Sequence, residues 1–340
     1  CNFRCQYCMP RDGVTLTPRE DLLTFEEQKR TLALFADLGV TKLRFTGGEP
    51  TLSRNLIDLV KFARELPSIE TVGITTNGFH LTQKVEALAD AGLDSINISL
   101  DTLREERFEE LTLRKSNAIN KVFAGIYAAK AAGIKNIKMN CVLMGGINDD
   151  EVIDFIAFGQ NLGVNIRFIE FMPFSGNEWS SKRQLVPYRD VLSSLRKEGI
   201  NLEALTPQDP HDTTKWFIAP PIDTQKIDDG KKAIIDFNCG ASGRSSDMHD
   251  SRVGFITSMS DTFCSGCNRL RITADGKLRV CLFGKDGFDL LESYRTGASD
   301  SDVADMISGA LMRKHSTLGG NTVDELGKDQ NDRPMIMIGG

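Results

Sequence analysis

Runs of β-branched and apolar residues alternate with helix-type segments over residues 1–200, and this alternation most constrains how the chain can fold. The β-type runs cover residues 42–46, 71–76, 94–100, 136–143 and 164–171. Apolar residues at helical spacing fill the intervals, at residues 25–38, 55–65, 82–91, 117–132, 150–162 and 187–198. Strands that alternate with helices in this way are typical of parallel βαβ units. With one further strand expected before Cys1, the pattern predicts an α/β fold, a partial (β/α)6 barrel of the TIM type.

The chain divides into three regions by composition. Residues 1–200 carry the alternating pattern, and we expect them to form the barrel, with functional groups where its strands end. Residues 201–252 contain four prolines and a small, polar stretch, which favours a long connection. In residues 253–340 the trio Ala274-Asp275-Gly276 lies between two β-type runs and predicts a hairpin turn. We therefore expect a small β-rich carboxyl-terminal domain.

Overall charge and hydropathy argue against two classes of partner. The chain has 340 residues and a formal net charge of -6 at pH 7, so the molecule as a whole does not attract nucleic acids. An anionic ligand must then be held by a local group of Arg and Lys side chains. No stretch of the sequence reaches the apolar length of a membrane-spanning helix. Clustered cysteines favour a reducing compartment.

Two groups of three cysteines are the strongest functional signal. Each group can hold three corners of an iron–sulfur cube and leave one iron open to a ligand that is not protein. The first group has the spacing CxxxCxxC and consists of Cys1, Cys5 and Cys8. The second is a CxxC pair with a third cysteine further on, and consists of Cys264, Cys267 and Cys281.

Zinc binding and disulfide bonding are the alternative explanations of these cysteines. A CxxC pair is often half of a zinc site, and three ligands with a water molecule also satisfy zinc. None of the four histidines lies within either group, which disfavours zinc without excluding it. Eight cysteines in 340 residues are too sparse for a disulfide scaffold.

Three basic residues lie where a barrel ligand could meet them. Arg269 and Arg271 alternate on a predicted strand that begins two residues after Cys267, so both face one side and could grip a triphosphate. The alternative interpretation is that both arginines lie on the solvent-exposed face of an ordinary hairpin and bind no ligand. Lys138 lies in an apolar strand pattern, where it either reaches outward to solvent or faces the barrel interior and needs an anion.

The cysteine groups and their surroundings resemble a known enzyme family. Together with the turn Thr46-Gly47-Gly48-Glu49-Pro50, the first group resembles the radical S-adenosylmethionine superfamily. The second group, within Phe263–Gly276 and Cys281-Leu282-Phe283, resembles the GTP 3′,8-cyclases of molybdenum cofactor biosynthesis. The ending Gly339-Gly340 is similar to that of the family, and the residues before it look more like eukaryotic members. The likeness covers nearly the whole chain.

The resemblance implies an enzyme that converts GTP to 3′,8-cyclo-7,8-dihydro-GTP. It implies two 4Fe–4S clusters and S-adenosyl-L-methionine as cofactors, with the second cluster in the carboxyl-terminal domain. It further implies an electron donor and a downstream pterin-forming enzyme as partners, leaves a homodimer open, and involves neither nucleic acid nor membrane. The expected location is the mitochondrial matrix for a eukaryotic member and the cytoplasm otherwise.

Site residues follow from the resemblance position by position. The first cluster is assigned to Cys1, Cys5 and Cys8, and the second to Cys264, Cys267 and Cys281. The residues implied to line the S-adenosylmethionine pocket are Tyr7, Gly48, Glu49, Ser99 and Met172. The residues implied to contact GTP are Arg44, Thr75, Lys138, Arg269, Leu270 and Arg271. The groups implied to act in catalysis are Arg269, Arg271, Gly339 and Gly340.

Two other functions stay open at this point. A radical maturase that modifies a peptide also carries auxiliary clusters, but it usually needs more carboxyl-terminal cysteines and gives no reason for Arg269 and Arg271 beside them. A non-enzymatic zinc-binding module would use the same cysteines. Iron and sulfide content separates the zinc module, and activity on GTP separates the maturase.

Overall fold

The computed structural model describes residues 1–10, 12–174, 181–207, 212–222, 251–284, 287–323, 325, 326 and 335. Gly339, Gly340 and Cys239 lie outside this part of the chain. The strands are β1 (Lys42–Phe45), β2 (Thr71–Thr76), β3 (Ser95–Ser99), β4 (Asn136–Leu143), β5 (Asn165–Glu170), β6 (Glu203–Ala204), β7 (Thr214–Ile218), β8 (Arg252–Ile256), β9 (Arg271–Ile272), β10 (Lys277–Arg279) and β11 (Gly287–Asp289).

Helices follow most strands of the first half. They are α1 (Phe25–Asp37), α2 (Leu56–Glu65), α3 (Val85–Asp90), α4 (Glu105–Thr112), α5 (Ile119–Ala131), α6 (Val152–Leu162), α7 (Ser181–Gln184), α8 (Tyr188–Lys197), α9 (Leu290–Arg295) and α10 (Asp300–Met312). Local signals fix their ends: Thr24 begins α1 in a capping box with Glu27, and Gly163 ends α6 in the left-handed conformation. Within the described residues, no helix is both long and apolar enough to cross a membrane.

Eight strands form one sheet in the order β1-β2-β3-β4-β5-β8-β7-β6. The neighbours from β1 through β5 to β8 are all parallel, whereas β7 is antiparallel to β8 and to β6. The predicted α/β fold class is confirmed, and five predicted strands form β1 to β5. The sixth parallel strand is β8, which follows the region interpreted as a long connection. It pairs with β5 and so extends the barrel sheet.

The two faces of this sheet differ sharply in polarity. Residues such as Ile74, Ile96 and Phe168 point to the outer face and are buried against the helices. The alternate residues form rows across the inner face, because successive side chains of a strand point to opposite sides. One row joins Thr75, Asn97, Lys138 and Asn165 through direct register, and the next joins Ser99, Asn140, Arg167 and Gly254. The inner face is therefore a polar surface rather than a packed core.

The carboxyl-terminal part contains a separate three-stranded antiparallel sheet in the order β11-β10-β9. The predicted hairpin turn is confirmed, since Thr273 N–H donates to the carbonyl of Lys277 at 3.0 Å and β9 pairs with β10. Leu278, Leu290 and Ile307 from this part pack in one apolar cluster with Leu34 and Phe35 of α1. This cluster attaches the small sheet to the barrel.

Removal of an outer-face ring tests the packing of the barrel. Phe168 is 1% exposed, and its ring centroid lies 6.1 Å from Phe155 and 5.7 Å from Phe255. Phe168→Ala should lower the free energy of unfolding by about 3–5 kcal/mol, because it opens a cavity that rigid neighbours cannot fill. Urea denaturation measures the loss. Met312→Ala is the control, since Met312 is 88% exposed, and an equal loss in both variants would contradict the proposed packing.

Candidate functional site

The first cysteine group lies on a loop that is anchored at both of its faces. Backbone N–H groups of Cys8 and Met9 donate to the carbonyl of Cys5 at 3.0 and 2.9 Å, which forms a tight turn. Gln6 N–H donates to the carbonyl of Leu111 in α4 at 3.0 Å. Phe3 packs edge-on against aromatic rings from the barrel. Burial raises the pKa of the Cys5 thiol well above its usual range and that of Cys8 to about 12.

The glycine turn after β1 touches the first cysteine directly. A Cβ atom at Gly48 would lie 2.6 Å from the backbone N of Cys1, so only glycine permits this approach. Glu49 beside it accepts four hydrogen bonds, from the backbone N and hydroxyl of Thr51, the hydroxyl of Thr76 and the backbone N of Asn77. The carboxylate thus ties the turn to the end of β2, and its contact with S-adenosylmethionine stays a prediction.

Tyr7 connects the cysteine loop to the ends of β3 and β4. Its hydroxyl donates to Asp101 at 2.8 Å, and the other oxygen of Asp101 accepts from Val142 N–H at 2.8 Å. Burial raises the pKa of Asp101 to about 6, although both hydrogen bonds lower it. Met335, the described residue nearest the chain end, packs in the same apolar cluster as Tyr7 and Val142.

Ser99 and Met172 lie where two inner strands end. Ser99 is the last residue of β3, and Met172 follows β5 by two residues. Met172 packs with Met259 and Leu318, which belong to the carboxyl-terminal part. Both residues thus lie at the carboxyl edge of the sheet, where Tyr7 and the glycine turn also meet it.

The second cysteine group lies on a short helical turn and on the strand end beyond β10. Cys267 N–H donates to the carbonyl of Cys264 at 3.2 Å across the turn Cys264–Gly266. Two nitrogen donors approach these thiols: Lys314 Nζ lies 3.5 Å from Cys267 Sγ, and Leu318 N lies 3.4 Å from Cys264 Sγ. Nitrogen donors directed at sulfur are typical of the surroundings of cluster thiolates.

The donor sets of both groups fit iron–sulfur clusters in kind and number. Among the described residues, no three His, Cys, Asp or Glu side chains converge on a single ion position. A cube binds each thiolate through a different iron, so its ligands need not converge on one point. Each group supplies three thiols, and backbone hydrogen bonds form a turn in the cysteine loop of each group.

Four basic side chains lie close enough together for their charges to act on one another. Burial and the neighbouring guanidinium of Arg269 lower the pKa of Arg44. Burial, Arg167 and Arg44 lower the pKa of Lys138 to about 8, and burial with Arg44 lowers that of Arg167 to about 9. With these values, Lys138 and Arg167 remain mostly charged at pH 7. We call Arg44, Lys138, Arg167 and Arg269 the cation group.

Neighbouring polar atoms hold these cations in place. Arg167 Nε donates to Asn140 at 2.9 Å, and Arg269 donates to the hydroxyl of Thr213 at 2.6 Å. Asp212 raises the pKa of Lys138, Arg167 and Arg269 towards their usual ranges, and is itself fixed by Trp216 Nε1 at 2.7 Å. Among the residues that the structure describes, Asp212 is the carboxylate that acts on three of these four cations, so the space around them is attractive to an anion.

The structure differs from the sequence-based prediction at two members of the cation group, Arg269 and Arg167. Arg269 precedes β9 and is not part of a strand, whereas Arg271 begins it. Burial and then the charge of Arg269 lower the pKa of Arg271, which indicates that the two guanidinium groups are close together. Arg167 was not among the site residues predicted from the sequence. Arg167 lies between the apolar residues Ile166 and Phe168 on β5, and this local pattern alone does not distinguish it from other arginines on strands.

Two buried polar atoms on the inner face lack a protein partner. Asn97 Oδ1 and Ser95 Oγ are enclosed without a hydrogen bond to any described residue. Asn97 lies between Thr75 and Lys138 in the register of the sheet. Such orphaned atoms are costly unless a ligand or water satisfies them. The inner face therefore has unmet hydrogen-bonding capacity beside its excess positive charge.

Comparisons with known proteins agree with this arrangement. Residues 1–159 match the model of the radical SAM superfamily, and residues 240–319 match the model described as Molybdenum Cofactor Synthesis C. The chain is 44% identical over 92% of its length to molybdenum cofactor biosynthesis protein 1 of Drosophila melanogaster, of which it covers 50%. It is 41% identical over its full length to the mitochondrial GTP 3′,8-cyclase of Arabidopsis thaliana, of which it covers 78%.

A bacterial relative and a solved structure complete the comparison. The GTP 3′,8-cyclase of Heliobacterium modesticaldum is 37% identical over the whole chain, which covers 94% of that protein. A crystal structure of methylornithine synthase matches with a TM-score of 0.45 and 18% identity, over 58% of each chain. The chain spans about half the length of the animal relatives it matches.

The domain formed by residues 1–159 belongs to the radical S-adenosylmethionine superfamily. Within it, the extent of the plant and bacterial matches makes the chain a member of the GTP 3′,8-cyclase family of molybdenum cofactor biosynthesis. Superfamily membership implies a 4Fe–4S cluster together with S-adenosylmethionine.

The cation group predicts a measurable preference for polyanions. Arg167→Met should weaken the binding of inorganic triphosphate roughly tenfold to a hundredfold, the scale of one charge-assisted hydrogen bond. Isothermal titration calorimetry measures the dissociation constant. Arg196→Met removes an exposed arginine from α8 and is the matched control. Unchanged affinity in Arg167→Met, or an equal loss in Arg196→Met, would remove Arg167 from the anion site.

Proposed function

We propose that this chain carries the GTP 3′,8-cyclase activity, the conversion of GTP to 3′,8-cyclo-7,8-dihydro-GTP that begins molybdenum cofactor biosynthesis. The observation that carries the proposal is the cation group on a polar inner face, in a chain that also carries two groups of three cysteines. A nucleoside triphosphate offers the anion that the cations need and the donors that Asn97 Oδ1 needs. The names of the plant and bacterial relatives support the same substrate.

The first cysteine group is proposed to hold the cluster that works with S-adenosylmethionine. When bound there, the cluster and S-adenosylmethionine would together supply a primary carbon radical that can remove the hydrogen at C3′ of GTP. Tyr7, Gly48, Glu49, Ser99 and Met172 are proposed to line the pocket. Gly48 leaves room for close backbone approach, and the hydrogen bond from Tyr7 to Asp101 fixes the aromatic ring beside the cysteine loop.

GTP is proposed to bind between the barrel and the carboxyl-terminal part. Arg44, Lys138, Arg269 and Arg271 would grip the triphosphate, with Arg167 as an addition from the structure, while Thr75 and the Leu270 backbone contact the nucleoside. Arginine and lysine hold phosphates in a fixed orientation, which brings C3′ and C8 together and keeps water away. The second group, with Cys264, Cys267 and Cys281, is proposed to hold the cluster that orients guanine.

The glycine tail and the partners complete the proposal. Gly339 and Gly340 are proposed to finish the site around the radical, which is supported by Met335 packing beside Tyr7. The family implies an electron donor, a downstream pterin-forming enzyme and, for a eukaryotic chain, the mitochondrial matrix. The Arabidopsis relative carries a mitochondrial designation in its name.

Separate removal of each cysteine group tests the two-site proposal. The protein is reconstituted anaerobically with iron and sulfide and then incubated with S-adenosylmethionine, dithionite and GTP. Cys5→Ala should abolish release of 5′-deoxyadenosine, and Cys267→Ala should keep S-adenosylmethionine binding but yield no cyclised product. Each variant should lose about half of roughly eight irons, if both clusters are cubes.

The controls separate this function from its alternatives. Cys141 is fully buried and outside both groups, so Cys141→Ala should retain iron content and product. Two zinc ions without sulfide would establish the zinc-binding module instead. Turnover of a peptide but not of GTP would establish a maturase. Cyclised product from Cys267→Ala would overturn the role of the second group.

The lowered pKa of Lys138 predicts a pH dependence of GTP binding. Lys138 binds phosphate when charged, and its pKa of about 8 in the free protein means that it loses the proton as pH rises through 8. Affinity should therefore fall about tenfold or more between pH 7 and pH 9, because the charged fraction of Lys138 falls about tenfold and Arg167, with a pKa of about 9, adds to the loss. Calorimetry at several pH values measures it. Lys138→Arg keeps its charge over this range and should flatten the profile; a parallel profile in both proteins would exclude Lys138 as its cause.

A further inference from the structure

Lys314 is a basic residue outside the cation group that reaches the second cysteine group. It follows α10 by two residues. Its Nζ lies 2.7 Å from the carbonyl oxygen of Cys267, 3.5 Å from the sulfur of the same residue and 3.2 Å from the carbonyl oxygen of Arg269. One ammonium group thus connects a cluster ligand to the backbone of a residue in the cation group.

The residues after Lys314 continue over the same cysteines. We call residues 314–320 the covering segment. Leu318 N–H donates to Cys264 Sγ at 3.4 Å, and the buried Leu318 side chain packs with Met259 and Met172. Gly319 has a φ of 65°, and a Cβ atom there would lie 2.5 Å from the backbone N of Gly284. Gly284 follows the third cysteine by three residues, so the segment meets all three cysteine-bearing stretches.

Contacts of this kind act on the electron affinity of an iron–sulfur cluster. One-electron reduction adds a negative charge that is shared with the thiolate sulfurs. Hydrogen bonds to sulfur and nearby positive charge stabilise that form, and both are known levers on the reduction potential. Lys314 supplies both at Cys267, and the backbone of Leu318 supplies a hydrogen bond at Cys264.

We propose that Lys314 is a positioning residue that raises the reduction potential of the second cluster and fixes the Arg269 backbone beside it. The proposal rests on the proposed assignment of a cluster to Cys264, Cys267 and Cys281. According to this proposal, the covering segment makes the second cluster easier to reduce. It also holds the backbone of Arg269 in a fixed position relative to that cluster. Lys314 acts through its contacts with Cys267 and Arg269.

The potential of the second cluster can be measured without any turnover. The full chain with Cys1, Cys5 and Cys8 all changed to Ala is reconstituted, so that only the second cluster assembles. Redox titration followed by electron paramagnetic resonance then gives its midpoint. Lys314→Met should make reduction about tenfold less favourable, which is a shift of about 59 mV to more negative potential for a one-electron couple.

Neighbouring variants serve as matched controls. Arg313→Met removes an equal charge from the adjacent, exposed position and should leave the midpoint unchanged. Lys314→Arg keeps the charge and the donors and should stay close to the unmodified chain. If Lys314→Met takes up less iron, Lys314→Gln keeps a donor without the charge and should still show the negative shift.

The outcomes separate this inference from the proposed function. An unchanged midpoint in Lys314→Met and Lys314→Gln overturns the role of Lys314, whatever the substrate of the enzyme. An equal shift in Arg313→Met also overturns it, because the effect would then be general charge. A chain that binds zinc or no iron at Cys264, Cys267 and Cys281 overturns the cluster assignment itself, which is a failure of the proposed function.

Discussion

Mutual repulsion among buried cations is the constraint on which the site depends. Burial lowers the pKa of four basic side chains from β1, β4, β5 and the turn before β9, and neighbouring arginines lower three of these pKa values further. A fold keeps such a group only where an anion compensates it, or where other interactions are strong enough to hold it without one. Asp212 offsets part of the repulsion, and its own geometry is fixed by Trp216 and the backbone of Thr214.

The barrel can hold these charges because its apolar packing is complete on the other face. Phe168 of β5 and Phe255 of β8 pack with Phe155 of α6 in the space between sheet and helices, and β5 also carries Arg167 on its inner face. Each strand therefore packs apolar side chains against the helices on its outer face and presents polar or charged side chains on its inner face. The apolar cluster that joins α1 to the carboxyl-terminal part brings Arg269 and Arg271 towards the same space.

Local patterns in the sequence were sufficient for the barrel strands and the hairpin, but not for every element. The alternation predicted β1 to β5 because each of those strands has helices on both sides of it in the chain. β8 has no such context, and its place beside β5 depends on a pairing across more than 80 residues of sequence. Helix α4 was missed because its eight residues are mostly charged and carry a weak apolar stripe.

The candidate site shows the same division between local and tertiary information. The cysteine groups have short spacing and could be found from the sequence, as could Lys138 as a basic residue in an apolar strand. Arg167 could not be ranked above other strand arginines until the register placed it beside Asn140 and near Arg44. The contact from Lys314 to Cys267 joins residues 47 apart and left no signal in either local pattern.

The charged residues near the two cysteine groups have opposite signs, and this difference is relevant to the separate roles proposed for the two groups. Asp101 faces the first group, and its negative charge, after burial, raises the pKa of Cys5 and Cys8. Lys314 and Arg271 face the second group with positive charge. Negative charge nearby disfavours an added electron, so the cluster proposed for the first site would be the stronger reductant of the two, which suits the proposed cleavage of S-adenosylmethionine. Positive charge favours an added electron and attracts an anionic substrate, so the second site is suited to holding the nucleotide.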